Sequence, residues 1–328
     1  MRTCAHHSAG GSRSERPTRA DASADRVAFV LEGAMWMWWI LTIPSFLFVT
    51  IDIFITTPEA TVMKWAFVIL TAFTGPVGAF FYVLGCREPI RGTHEQYVSV
   101  RWRQVLGSTM HCAAGDGIGI IVGAAIGAAL TLSFWPDFLL EYALGFSFGW
   151  AYFQAFAMRD MAGGDYLKSL RMTFLPEFVS MNCLMAGMLL VSKFWMPNVA
   201  GGGDPSTPEF WFIMSMSLIA GFAFAYPMNW WLVSNHMKHG MITVLKKERE
   251  LALAHAAPSE GSGMTHAEHM GASIPAGAHG SGHDSAREDM ADMAAPSASR
   301  GLKGRMVAVS LGVLAVSLWI ITTFAPGA

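Results

Sequence analysis

Seven long apolar stretches constrain this chain more than any other feature. They run near Met35–Ile55, Lys64–Leu84, Gly115–Phe134, Phe138–Phe156, Phe174–Trp195, Phe210–Trp231 and Met306–Phe324. A hydrocarbon core about 30 Å thick takes roughly 20 apolar residues of helix to cross. Each stretch is long enough, so the expected fold is all-α: a bundle of about seven transmembrane helices. Only 14% of the 328 residues are charged, against about 25% in soluble domains. That balance argues against an ordinary soluble enzyme, and a net charge of −2 offers no basic field for nucleic acid. The lipid bilayer is the expected partner.

The sequence divides accordingly. Residues 1–30 read as a disordered N-terminal tail, and 31–236 as a membrane domain of six spans. Residues 237–256 read as an amphipathic helix at an anionic lipid surface, 257–300 as a disordered loop, and 301–328 as the seventh span. Lys and Arg gather in the N-tail and in the loops after spans two, four and six, leaving Lys64 and Lys193 on the other side. With seven crossings, the positive-inside rule puts the N-terminus in the cytoplasm and the C-terminus outside. Asp52 then stands alone near the outer end of span one. Cys4, Cys86, Cys112 and Cys183 fall in or near the cytoplasmic side, where disulfides are disfavoured.

Span three carries Gly115, Gly119, Gly123 and Gly127 at intervals of four, and span four carries Gly145 and Gly149 at the same interval. Such stripes let two helix backbones approach closely. The Trp135-Pro136-Asp137 turn between the two spans makes them an antiparallel pair. Pro44, Pro76 and Pro227 lie inside spans and are expected to kink them.

Polar groups inside spans are costly and therefore candidates for function. His111, Cys112 and Asp116 cluster at the start of span three, with Cys112 and Asp116 on one helix face. Glu177 opens span five after Pro176, and Asn229, Asn235 and His236 close span six. Imidazole, thiol and carboxylate together suit a borderline or soft metal. The plain alternative is a set of interfacial residues and hydrogen bonds between helices. Met181, Met185 and Met188 share a face of span five, either as a thioether route for Cu(I) or as packing residues. In the loop, His266 and His269 are flanked by Met264 and Met270, a group suited to weak, exchangeable copper or zinc binding.

No P-loop, Rossmann glycine pattern, HExxH or GxSxG occurs, and no enzymatic activity is expected. The run His111-Cys112-Ala113-Ala114-Gly115-Asp116-Gly117-Ile118-Gly119 resembles an uncharacterised bacterial integral-membrane family, a domain of unknown function with a His-Cys start to a glycine-rich span. The resemblance covers roughly Arg101 to Trp231. Where such sequences often continue Gly-Cys, this one has Gly115-Asp116, a carboxylate in place of a thiol. The resemblance implies a polytopic inner-membrane protein and supplies no established activity. The functional expectation is metal-ion homeostasis, with secondary transport of a cation such as copper. The competing expectation is a non-transporting membrane scaffold or assembly partner.

Overall fold

A computed structural model describes residues 19–157, 159, 164–238 and 298–325. The described chain is helical in every long element: α1 (Arg19–Thr56), α2 (Thr61–Gly85), a short α3 (His94–Val98), α4 (Arg101–Ala129), α5 (Phe134–Phe146), α7 (Tyr166–Trp195), α8 (Pro208–Ser234) and α9 (Arg300–Phe324). Between α5 and α7, a π-helical segment (Ser147–Gln154) runs on into the short α6 (Ala155–Ala157). The protein is a multi-pass membrane protein. Six helices have the length and composition to cross a bilayer: 29–56 of α1, α2, α4, 166–198, α8 and α9. The continuous run α5–π–α6 spans the same distance in three pieces.

α2 corrects the expectation of seven crossings. Its apolar run is long enough to span, but Gly75 has φ 51° and ψ −125°, a backbone conformation essentially reserved for glycine. The chain doubles back there. Phe67 and Tyr82 are fifteen residues apart, a separation of about 22 Å along a straight helix. Their ring centroids lie 5.8 Å apart. A Cβ on Gly78 would lie 2.8 Å from Thr71 Cα, so the two arms touch close to the tip. α2 is thus a re-entrant helical hairpin. Its tip packs on Thr42, about 15 Å along α1 from Asp52. Irregular backbone at this depth is tolerated because protein surrounds it: Thr71, Thr74 and Gly75 are buried.

Both ends of α2 therefore lie on one face. Asp52 is not alone: it accepts hydrogen bonds from Tyr82 Oη (2.7 Å) and Arg87 Nε (2.7 Å). Thr57 and Tyr82 hydroxyls are 2.9 Å apart. The Asp52 carboxylate holds the Arg87 guanidinium above its ordinary pKa. The next face-to-face relation is set by Trp38, whose ring packs 6.4 Å from Phe212 at the start of α8. The start of α9 lies with the end of α8, where Met306 packs with Met228 and Leu232. The N-terminal end of α1 and the C-terminal end of α9 therefore share the face opposite Asp52. The expectation of termini on opposite sides fails with the crossing it counted. Cysteines placed at Thr61 and Ile90, both exposed, are expected to react with a membrane-impermeant thiol reagent from the same side. Labelling from opposite sides would restore a straight crossing.

α4 and α7 form the centre, with 67% and 72% of their apolar windows buried, whereas α1 and α9 are peripheral at 17% and 22%. Lipid offers little hydrophobic driving force between helices, so close backbone contact and interhelical hydrogen bonds hold the bundle. A Cβ on Gly119 would lie 2.6 Å from Gly145 Cα, and one on Gly115 would lie 3.0 Å from Gly149 Cα. Gly123 abuts Glu141 and Gly127 abuts Asp137, so the α4 stripe runs along α5 and the π segment. Tyr142 donates to Asn182 Oδ1 (2.7 Å), and Asn182 Nδ2 donates to Ser310 (3.3 Å), tying α5, α7 and α9. Lys193, about three turns further along α7 than Asn182, bridges Asp137 (2.5 Å) and Glu141 (3.0 Å) of α5.

Candidate cation site

α4 begins fourteen residues before the expected start of span three. His111, Cys112 and Asp116 consequently lie deep in the bundle rather than at a helix entry. Asp116 is about 22 Å along the helix from Arg101, and it is fully buried. One helical turn separates Cys112 from Asp116, so both face α7, which contributes Glu177. One ligand atom from each of Cys112, Asp116 and Glu177 lies within 4.8 Å of the other two. Cys112 Sγ donates to Glu177 Oε2 at 3.2 Å.

The fourth member comes from the turn after α8. His236 takes a left-handed conformation (φ 53°), and Met237 N–H bonds back to Leu232. That reversal sends Lys238 inward. Its ammonium donates to Cys112 Sγ and to Glu177 Oε2, the latter at 2.9 Å. Burial works to strip its charge, and the Glu177 carboxylate beside it opposes that loss. Lys238 was expected at a lipid surface, in the amphipathic segment 237–256. The structure buries it instead. His236, expected in the site, is exposed and lies outside the ligand cluster.

Asp116 is the anomaly. Neither of its carboxyl oxygens accepts a hydrogen bond from an N–H, S–H or hydroxyl group, and its polar neighbour is the Glu177 carboxyl. It lies against Gly149 of the π segment, where a Cβ would fall on the carboxylate. A residue as small as glycine is needed there to house it. π segments frequently mark functional positions. One lysine faces two carboxylates, so the cluster has room for one more positive charge, a proton or a metal ion. Leaving a buried carboxylate with neither donor nor cation costs several kcal/mol. A sulfur and two carboxylate oxygens form a donor set suited to a borderline metal such as zinc.

The other candidates separate from this cluster. His111 is buried beside it, with its ring 5.0 Å from Phe153 and Nε2 without a partner. Met181, Met185 and Met188 are fully buried. Met181 packs near Gly145 and Met188 near Gly221, which are packing contacts. Asn229 donates to Ser180 at 2.9 Å. His266, His269, Met264 and Met270 lie outside the described residues.

Residues 101–238 match the family model described as Domain of unknown function (DUF4396), in keeping with the resemblance carried by the His111–Gly119 run. No curated protein matches the chain. No solved structure matches it either. The matched region opens on the first residue of α4 and closes on Lys238. It contains all four members of the cluster and excludes α1, the hairpin and α9.

Proposed function

We propose that this protein belongs to metal-ion homeostasis as a secondary cation transporter, and that Cys112, Asp116 and Glu177 take up a transition-metal ion such as copper or zinc. The observation that carries this reading is the donorless Asp116 carboxylate beside a thiol and a second carboxylate. Lys238 is the resident counter-charge. A divalent ion entering the cluster meets an ammonium already bonded to two of its ligands, so loading requires Lys238 to withdraw. Because residues 239–256 join Lys238 to the His- and Met-bearing loop, its displacement would couple metal loading to that loop.

The face with Lys64, Arg87, Arg91, Arg101, Arg103, Arg159, Lys168 and Arg171 is the cytoplasmic one on the positive-inside rule, since these outnumber Lys193 and the five arginines that precede Phe29 on the other face. That assignment puts the cluster nearer the cytoplasmic end of an inner-membrane bundle and both termini outside.

Purified protein in liposomes, assayed for Zn2+ and Cu+ flux with an entrapped indicator, tests the reading. Asp116→Asn, Cys112→Ala and Glu177→Gln are each expected to cut flux at least tenfold, with His236→Ala near wild type. Folded variants with undiminished flux would remove the site. Absence of flux in the wild type would favour the scaffold, a reading supported by the direct glycine contacts along α4 and α5.

A further inference from the structure

The base of the hairpin holds a second set of metal-ligating side chains, outside the matched family region and away from the α4–α7 cluster. Glu59 lies on the α1–α2 connection, Cys86 directly follows the second arm of α2, and His94 begins α3. Three separate chain segments thus converge, and they do so because α2 folds back. All three side chains are buried, at 2%, 0% and 1% exposure. One ligand atom from each lies within 4.8 Å of the other two. His94 Nε2 and Glu59 Oε1 are 2.9 Å apart.

A buried His–Glu hydrogen bond would by itself be ordinary structural glue. One further observation exceeds that account. Cys86, a free thiol, is the third corner of the same triangle. In a tetrahedral zinc site, bonds of about 2.0–2.3 Å place neighbouring ligand atoms roughly 3.4–3.7 Å apart. The 2.9 Å edge need open by only about half an ångström, and the other two, each within 4.8 Å, need close by no more than about 1.4 Å to reach that geometry.

We infer that Glu59, Cys86 and His94 form a divalent transition-metal site of the zinc type, bracing the base of the re-entrant hairpin. Three protein ligands leave a fourth position for water. The metal ties the α1–α2 connection to the end of the hairpin and to α3, holding both hairpin arms at the face from which α4 enters the membrane.

Cobalt(II) is the probe, because ligation by a thiolate adds a near-ultraviolet charge-transfer band. The full-length Cys4→Ala/Cys112→Ala protein lacks the thiol of the α4–α7 cluster and that of the N-tail. It is expected to bind cobalt with this band intact. Adding Cys86→Ser should abolish the band, and adding His94→Asn or Glu59→Gln should weaken binding at least tenfold. Zinc should also raise the thermal midpoint of the parent variant and leave its His94→Asn derivative unmoved. No band in the Cys4→Ala/Cys112→Ala protein, or a band that survives Cys86→Ser, overturns the site. A wild-type band contribution lost with Cys112→Ala reports separately on the α4–α7 cluster, so either site can fail alone.

Discussion

A Lys238→Met protein is expected to lose about 3–5 kcal/mol of stability, the range for removing one partner of a buried ion pair. Methionine keeps much of the volume, so the loss measures charge. Without the ammonium, Glu177 and Asp116 form a buried pair of carboxyl groups with no cation, and Cys112 Sγ loses its donor. Removing the stranded charge as well should recover much of the loss: Lys238→Met/Glu177→Gln is expected to be the more stable of the two. Zinc supplies the sharper discrimination. If the cluster is a cation site, Zn2+ replaces the missing ammonium, and free metal at about 100 times its dissociation constant adds about 2.7 kcal/mol. Asp116→Asn in the Lys238→Met background should erase that rescue. Unfolding in mixed detergent micelles, followed by tryptophan fluorescence, reads all four proteins. A neutral Lys238→Met would mean that the pair is not closed in the membrane. Rescue that persists without Asp116 would mean that zinc acts elsewhere.

The sequence and the structure part company where tertiary context decides. Most of the crossing helices are legible because lipid demands a long apolar run and little else imitates one. The Cys112–Asp116 pair is legible for a similar reason, since a spacing of four always shares a helix face. The hairpin is not. Thr74-Gly75-Pro76 inside an apolar run reads equally as a kinked crossing or a tip. What decides is distant in sequence: Asp52 and Thr57 meet Tyr82 and Arg87, and Thr42 receives Gly75. Counting that run as a crossing moved Asp52 and Arg87 to opposite faces and hid their ion pair. The start of α4 was missed because Arg101, Arg103 and Gln104 lower local hydropathy without ending the helix. Lys238 was missed because a lysine just past a span ordinarily reaches for lipid headgroups. Only the left-handed turn at His236 and the acidic partner on α7 turn it inward.

Gly119→Val should be among the most damaging single substitutions on the glycine stripe. A Cβ at Gly119 would lie 2.5 Å from Leu144 O and 2.6 Å from Gly145 Cα. Both obstacles are backbone, so no rotamer change relieves the overlap, and α4 and α5 must separate. Overpacking of a well-packed core typically costs 1–3 kcal/mol, and about 3 kcal/mol is expected here. Separation would reach the chemistry too. Gly115 rests on Gly149 one turn away from Gly119, and Gly149 houses the Asp116 carboxylate. Gly119→Val should therefore weaken zinc binding at the α4–α7 cluster as well as stability. Gly312→Val on peripheral α9, where a new Cβ meets nothing within 4 Å, is the control and should stay within about 0.5 kcal/mol of wild type. The pair share a chemistry and differ in what the new side chain meets. Equal thermal midpoints for the two variants in micelles would mean that α4 and α5 are not in backbone contact, and the packing that presents Asp116 to Cys112 and Glu177 would have to be redrawn.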